Sequence, residues 1–153
     1  MTREGGSRAA SAYVDMSNSA QWTVKLTVEA FAAIESEIGQ FLLRERVEGH
    51  AAYVSQLVIE EIVRNLIEHT PPYAQNETAT VTITIDAHIV TVVIEDRRPS
   101  FNPFDAPPLD THAPLEQRRP GGMGLHLVLS MTDRLTYDAG DDFNRLTAVI
   151  SRR

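Results

Sequence analysis

The fold class predicted by the sequence is a two-layer α/β sandwich, a mixed, largely antiparallel sheet with three helices on one face, and three observations point to it. Apolar and polar residues alternate in five short stretches, as in half-buried strands, and recur at helical spacing in three others. The two strongest alternating runs, ATVTITID and HIVTVVIED, meet at Asp86-Ala87-His88, the pattern of an antiparallel hairpin. The length of 153 residues fits one domain, enough to bury a core.

In chain order, residues 1–19 are small and polar and read as a flexible arm ahead of a domain over 20–153. Trp22, Val24 and Leu26 alternate with Thr23 and Lys25 as a strand. From Val28 to about Arg46 the spacing of Phe31, Ile34, Ile38, Phe41 and Leu42 is helical, and Glu48-Gly49 breaks it. A second helix runs from about Ala51 to Glu68, stopped by Pro71-Pro72. In the hairpin, threonines alternate with apolar residues, which covers one sheet face and leaves the other wet. Six prolines between Arg97 and Pro120 mark a long loop. A helix from about Met123 to Met131 and strands near Arg134–Tyr137 and Leu146–Ser151 complete the chain.

Composition narrows the function. A net charge of −7 argues against direct binding to nucleic acid, where Lys and Arg must neutralise phosphates. No apolar run approaches the ~20 residues of a membrane span, and the N-terminus lacks a signal-peptide core, so the expected location is cytoplasmic, away from any membrane. Without cysteine there are no disulfides, thiolate nucleophiles or cysteine metal sites. The histidines are scattered, with no spacing typical of a zinc hydrolase. Arginine pairs, Arg97-Arg98 and Arg118-Arg119, flank the long loop, either solvated or placed for phosphate or an acidic partner.

On the second helix Val58, Ile59, Ile62, Val63, Leu66 and Ile67 share the core face, while Glu60, Arg64 and Glu68 face water. Glu61, Asn65 and His69, at i, i+4 and i+8, border the apolar face. This border is open to two readings: a solvated flank, or a site where an amide oxygen binds a hard cation such as Mg²⁺ and the carboxylate acts as general base. Downstream, PGGMGLHL is neither a dinucleotide fingerprint nor a P-loop, since position 127 is Leu and no Gly-Lys-Ser/Thr follows. It is either a hinge at a helix start or a place where bare backbone and free N–H groups receive an anion.

Four elements in order carry a resemblance over most of residues 20–151: EEIVRNLIEH, IEDRRPSFNPF, GGMGLHLVLSMTD and FNRLTAVI. They resemble the N-box, the two glycine boxes and the closing strand of anti-sigma-factor serine kinases of the small bacterial regulatory type, in the GHKL superfamily with its Bergerat ATP-binding fold. The resemblance implies ATP and Mg²⁺ between helices and sheet, with Glu61 as catalytic base and Asn65 as both ATP contact and Mg²⁺ ligand. It implies that Asp96 accepts from the adenine amino group, that Gly121, Gly122 and Gly124 form a lid over the phosphates with the amides near Leu125 and His126, and that Thr147 lies near adenine. Arg98 and Phe101 fall in the first glycine box among the ATP-binding residues. Arg98 stands where the family usually has glycine.

As partners the resemblance implies a sigma factor held inactive and an antagonist whose serine is phosphorylated, with the kinase a homodimer. The alternative is a degenerate GHKL domain that binds a protein partner without nucleotide turnover. The catalytic domain of a sensor histidine kinase is expected to need an upstream helical hairpin for which the polar N-terminal residues offer no sequence.

Overall fold

Side-chain alternation along the strands decides which face of the sheet is buried. The computed structural model describes residues 13–16, 18–71, 74, 76–97 and 122–153. Tyr13–Met16 (β1), Ser19–Lys25 (β2), Thr78–Ile85 (β3), Ile89–Asp96 (β4), Arg134–Ala139 (β5) and Asn144–Ser151 (β6) form one six-stranded sheet in the order β1-β2-β3-β4-β6-β5. All pairings among the described residues are antiparallel. Where the sequence suggests a mixed, largely antiparallel sheet, β4 and β5 do run parallel, but β6 lies between them and pairs antiparallel with both.

Ala20, Trp22 and Val24 of β2, Ala79, Val81, Ile83 and Ile85 of β3, Val90, Val92 and Ile94 of β4, and Leu146, Ala148 and Ile150 of β6 are all buried. On the opposite face Gln21, Thr84 and Arg145 are exposed, and Thr23, Thr80, Thr82, Thr91, Val93 and Thr147 are half-buried. The strand period of two thus sorts each run into a dry and a wet face.

Among the described residues three helices cover the dry face: Val28–Arg44 (α1), Gly49–Glu68 (α2) and Gly122–Met131 (α3). α1 starts at Thr27, which has an extended backbone and whose Oγ1 accepts the Ala30 N–H at 3.2 Å, satisfying one orphan donor of the first turn. Its buried residues, Phe31, Ile34, Ile38, Phe41 and Leu42, follow the 3.6-residue period, and Phe41 meets Trp22 edge-on with centroids 5.7 Å apart. The helix ends before Arg46 because the chain turns left-handed there. Arg46 has φ 58°, its N–H reaches the Leu43 carbonyl, and the Val47 N–H reaches that of Leu42. This is a Schellman ending with arginine where glycine would cost least, closed by buried Val47.

On α2 the expected apolar face is met: Val58, Ile59, Ile62, Val63 and Leu66 are buried and Ile67 is partly so. Ser55, also buried, donates its hydroxyl to the Ala51 carbonyl at 2.6 Å. From α3 Val128 is buried in the same core. The β3–β4 turn is tied by Asp86, whose Oδ1 accepts the His88 and Ile89 N–H groups at 2.7 and 2.8 Å; these bonds hold its carboxyl below the usual range.

The sequence reading departs from the structure at the N-terminus. β1 lies inside the stretch expected as an arm and pairs with β2 from Ser19 to Trp22, through a turn in which Asn18 has φ 66°. The proline-rich stretch after Arg97 lies outside the described residues. Among the described residues no helix is long and apolar enough to cross a membrane.

Candidate functional site

The site is built where α2 crosses the ends of β4, β5 and β6. Ile62, Asn65 and Leu66 of α2, Ile94 and Asp96 of β4, Tyr137 of β5, and Asn144 and Leu146 of β6 line one cleft. Asp96 is there because of the pleat: Val90, Val92, Ile94 and Asp96 share one face of β4, so the last of them brings a carboxylate to the rim of an otherwise apolar floor. It is only 6 % exposed. A buried carboxylate needs donors, and Asn144, its register partner on β6, supplies one from Nδ2 to Asp96 Oδ1 at 3.0 Å. The Asn144 Oδ1 in turn accepts the Tyr137 hydroxyl at 2.5 Å.

On the α2 side of the cleft stands Asn65, with Glu61 one helical turn before it on the same helix. The Asn65 Oδ1 is buried and has no hydrogen-bond partner among the described residues. An orphaned amide oxygen is costly to keep, and it suits a hard cation that takes oxygen ligands, so the residues present fit Mg²⁺. No group of three or more His, Asp or Glu side chains among the described residues could hold a metal. Glu61 is half-buried, and burial raises its carboxyl above the ordinary value, against the smaller opposing pull of Arg64. That shift moves a carboxylate toward the range of a general base. Arg64 is engaged mainly with Glu60, at 2.6 Å.

Gly124 stands against Glu61. A Cβ placed on it would stand 1.9 Å from Glu61 Oε2 and 2.1 Å from Cδ, so the first turn of α3 lies against the Glu61 carboxyl through the space that glycine leaves. Gly122 opens α3, Leu125 is half-buried and His126 exposed. Gly121, Arg98 and Phe101 lie outside the described residues. His69 caps the C-terminus of α2, its Nδ1 bonded to the Asn65 carbonyl at 2.8 Å, and so has a helix-end role.

Thr147 is not at this site. It alternates with buried Leu146 and Ala148 and pairs with Val93 and Thr136 on the wet face, the side of the sheet away from the helices. Leu146 and Asn144, the inward residues of the same strand, face Asp96 in its place. The signal was present in the run NRLTAVIS: apolar residues at 146, 148 and 150 assign 144 to the inner face and 147 to the outer.

Comparison with known proteins bears on the fold and the family. A family model described as "Histidine kinase-like ATPase domain" matches residues 24–150. A serine/threonine-protein kinase, BtrW of Bordetella bronchiseptica, is 26% identical over 129 residues, covering 82% of this chain and 89% of its own. The crystal structure of the RsbU and RsbW domains of Rv1364c from Mycobacterium tuberculosis superposes with a TM-score of 0.57 at 14% identity, over 87% of this chain and 33% of that one. The chain thus spans a third of that structure's length, and the likeness concerns the fold.

Proposed function

The chain belongs to the histidine kinase-like ATPase family, with a GHKL-type fold, and on that premise we propose that it is an ATP-dependent serine/threonine kinase of the anti-sigma type. The observation that carries this reading is the orphaned Asn65 Oδ1, one helical turn from the Glu61 carboxyl raised by burial, on a residue that lines the same cleft as Asp96. A partner-binding scaffold would have no need of an unpaired amide oxygen there, whereas a magnesium nucleotide would satisfy it.

In this reading Asp96 accepts a hydrogen bond from the exocyclic amino group of adenine, and Ile62, Ile94 and Leu146 offer the base apolar walls. Asn65 holds Mg²⁺, which when bound shields the charge of the phosphates. The glycines before α3 let backbone N–H groups approach the phosphate oxygens, as the N-terminus of a helix favours an anion. Glu61 accepts the proton of a serine hydroxyl on a partner protein. As that oxygen bonds to the γ-phosphorus, the bond to the β,γ-bridging oxygen breaks and ADP leaves. Positioning and electrostatics would supply most of the rate.

The resemblance to anti-sigma kinases and the similarity to a serine/threonine kinase support two partners: a sigma factor that the chain sequesters, and an antagonist whose serine it phosphorylates so that the antagonist can no longer release the sigma factor. The chain would act as a homodimer in regulating transcription. The test is to incubate the protein with γ-labelled ATP, Mg²⁺ and soluble extract of its host. A label on serine of one small protein, lost with Glu61→Ala while nucleotide binding persists, supports the kinase. Binding without any transfer points instead to a regulator that holds a partner without turnover.

A further inference from the structure

Behind the carboxylate at the cleft rim stands a polar pair that the core itself does not require. The other inward positions of β6, Leu146, Ala148 and Ile150, are apolar, yet the first is Asn144, 4 % exposed. Its orientation follows from its neighbours. The amide nitrogen only donates and the amide oxygen only accepts, so with Nδ2 on Asp96 the Oδ1 is left to Tyr137, whose hydroxyl must donate. The chain Tyr137 to Asn144 to Asp96 therefore has one direction, and it spans three strands, β5, β6 and β4.

We infer that Asn144, held by Tyr137, is a specificity-determining positioning residue: by engaging Asp96 Oδ1 it sets the carboxylate to receive a 6-amino purine and to disfavour a 6-oxo purine. This rests on the ATP reading above. The two classes of base differ in what they show to a carboxylate. Adenine offers one donor, its exocyclic amino group, which a single oxygen satisfies. Guanine offers two adjacent donors, N1–H and the 2-amino group, which a carboxylate meets best with both oxygens side by side. The amide of Asn144 on Oδ1 occupies one of those oxygens and resists the rotation that would present both. Tyr137 makes the hold firm, because an amide fixed at both ends cannot turn away when a competing base arrives. Buried polar groups arranged for one hydrogen-bond pattern discriminate strongly against another.

Neither residue would transfer a proton or touch the phosphates, so the readout is a ratio and not an activity. The affinities of ATP and GTP, each with Mg²⁺, are measured by calorimetry for the intact chain and for Asn144→Leu and Tyr137→Phe. Asn144→Leu is expected to lower the ATP-to-GTP preference about tenfold or more, mainly by weakening ATP, and Tyr137→Phe to lower it about threefold. Tyr137→Phe keeps the ring and so serves if Asn144→Leu fails to fold. An unchanged preference in a folded variant that still binds ATP overturns this inference and leaves the ATP reading standing. Failure of the unsubstituted chain to bind any purine nucleotide overturns the ATP reading, and this inference with it.

Discussion

Replacing Gly124 with alanine probes the contact that joins α3 to the proposed base. The new Cβ would lie 1.9, 2.1 and 2.6 Å from Oε2, Cδ and Oε1 of Glu61, distances that real Cβ atoms do not show. To reach the 3.4 Å at which ordinary contact begins, the carboxyl must retreat by about 1.5 Å. The atoms struck are the end of a flexible side chain, so Glu61 yields rather than the backbone, at a cost that the helix propensity of alanine, about 0.5 to 1 kcal/mol over glycine, roughly offsets. The stability change is therefore expected to stay within about 1 kcal/mol. The electrostatic change is larger in kind. Burial is the main cause of the raised Glu61 pKa, and a carboxyl pushed toward water returns toward its ordinary value. Carboxyl titration by carbon NMR should show this fall in Gly124→Ala, and phosphotransfer should drop by about 100-fold, as misplacing a reacting group by an ångström commonly costs. A Glu61 titration unchanged from wild type, or destabilisation by several kcal/mol with Glu61 still buried, would show that the helix and not the carboxylate had moved, and that the Gly124 contact does not set the Glu61 position.

Other substitutions follow from the same structure. Because the Glu61 pKa is raised in the folded chain, its stabilising contribution is present below the unfolded value and lost as pH rises through the folded one, so Glu61→Gln should match wild type in acid and exceed it in thermal stability at neutral pH. Asn65→Leu, which removes a buried unpaired oxygen, should raise stability by about 1 kcal/mol in urea unfolding. Arg46→Gly relieves a left-handed arginine and keeps its carbonyl, which accepts from Arg152, so the melting midpoint should rise by the equivalent of about 0.5 to 1 kcal/mol. Asp86→Ala should destabilise at neutral pH, with the difference from wild type shrinking as acid protonates the lowered Asp86 carboxyl.

Much of the fold was legible because it is written in local periods. The β3–β4 hairpin shows its alternation and its Asp86 turn within eighteen consecutive residues, 79 to 96, and the α2 face is one wheel. What local pattern did not show depends on partners far along the chain. β1 is a short strand in a polar stretch, formed by pairing with β2. The early end of α1 reflects a left-handed Arg46, where sequence would look for glycine. At the site, Glu61 and Asn65 could be read as a pair because one turn of helix places them together. Asn144 could not, because it meets Asp96 only when two strands 48 positions apart come into register. Thr147, which the resemblance to the closing strand implies near adenine, sits on the wet side because the pleat shifts a side chain to the other face with each residue.

In the proposed function the cleft between α2 and the ends of β4 and β6 holds a magnesium nucleotide through Asn65 and Asp96. Calorimetric titration with ATP, with and without Mg²⁺, on the unsubstituted chain, Asn65→Leu and Asp96→Asn decides whether it does. The unsubstituted chain should bind ATP, and Mg²⁺ should tighten binding. In Asn65→Leu the magnesium effect should disappear, and in Asp96→Asn ATP should bind at least tenfold more weakly, as expected for loss of a charge-assisted bond. Binding of equal strength in all three proteins, indifferent to Mg²⁺, or no binding in any, would contradict it.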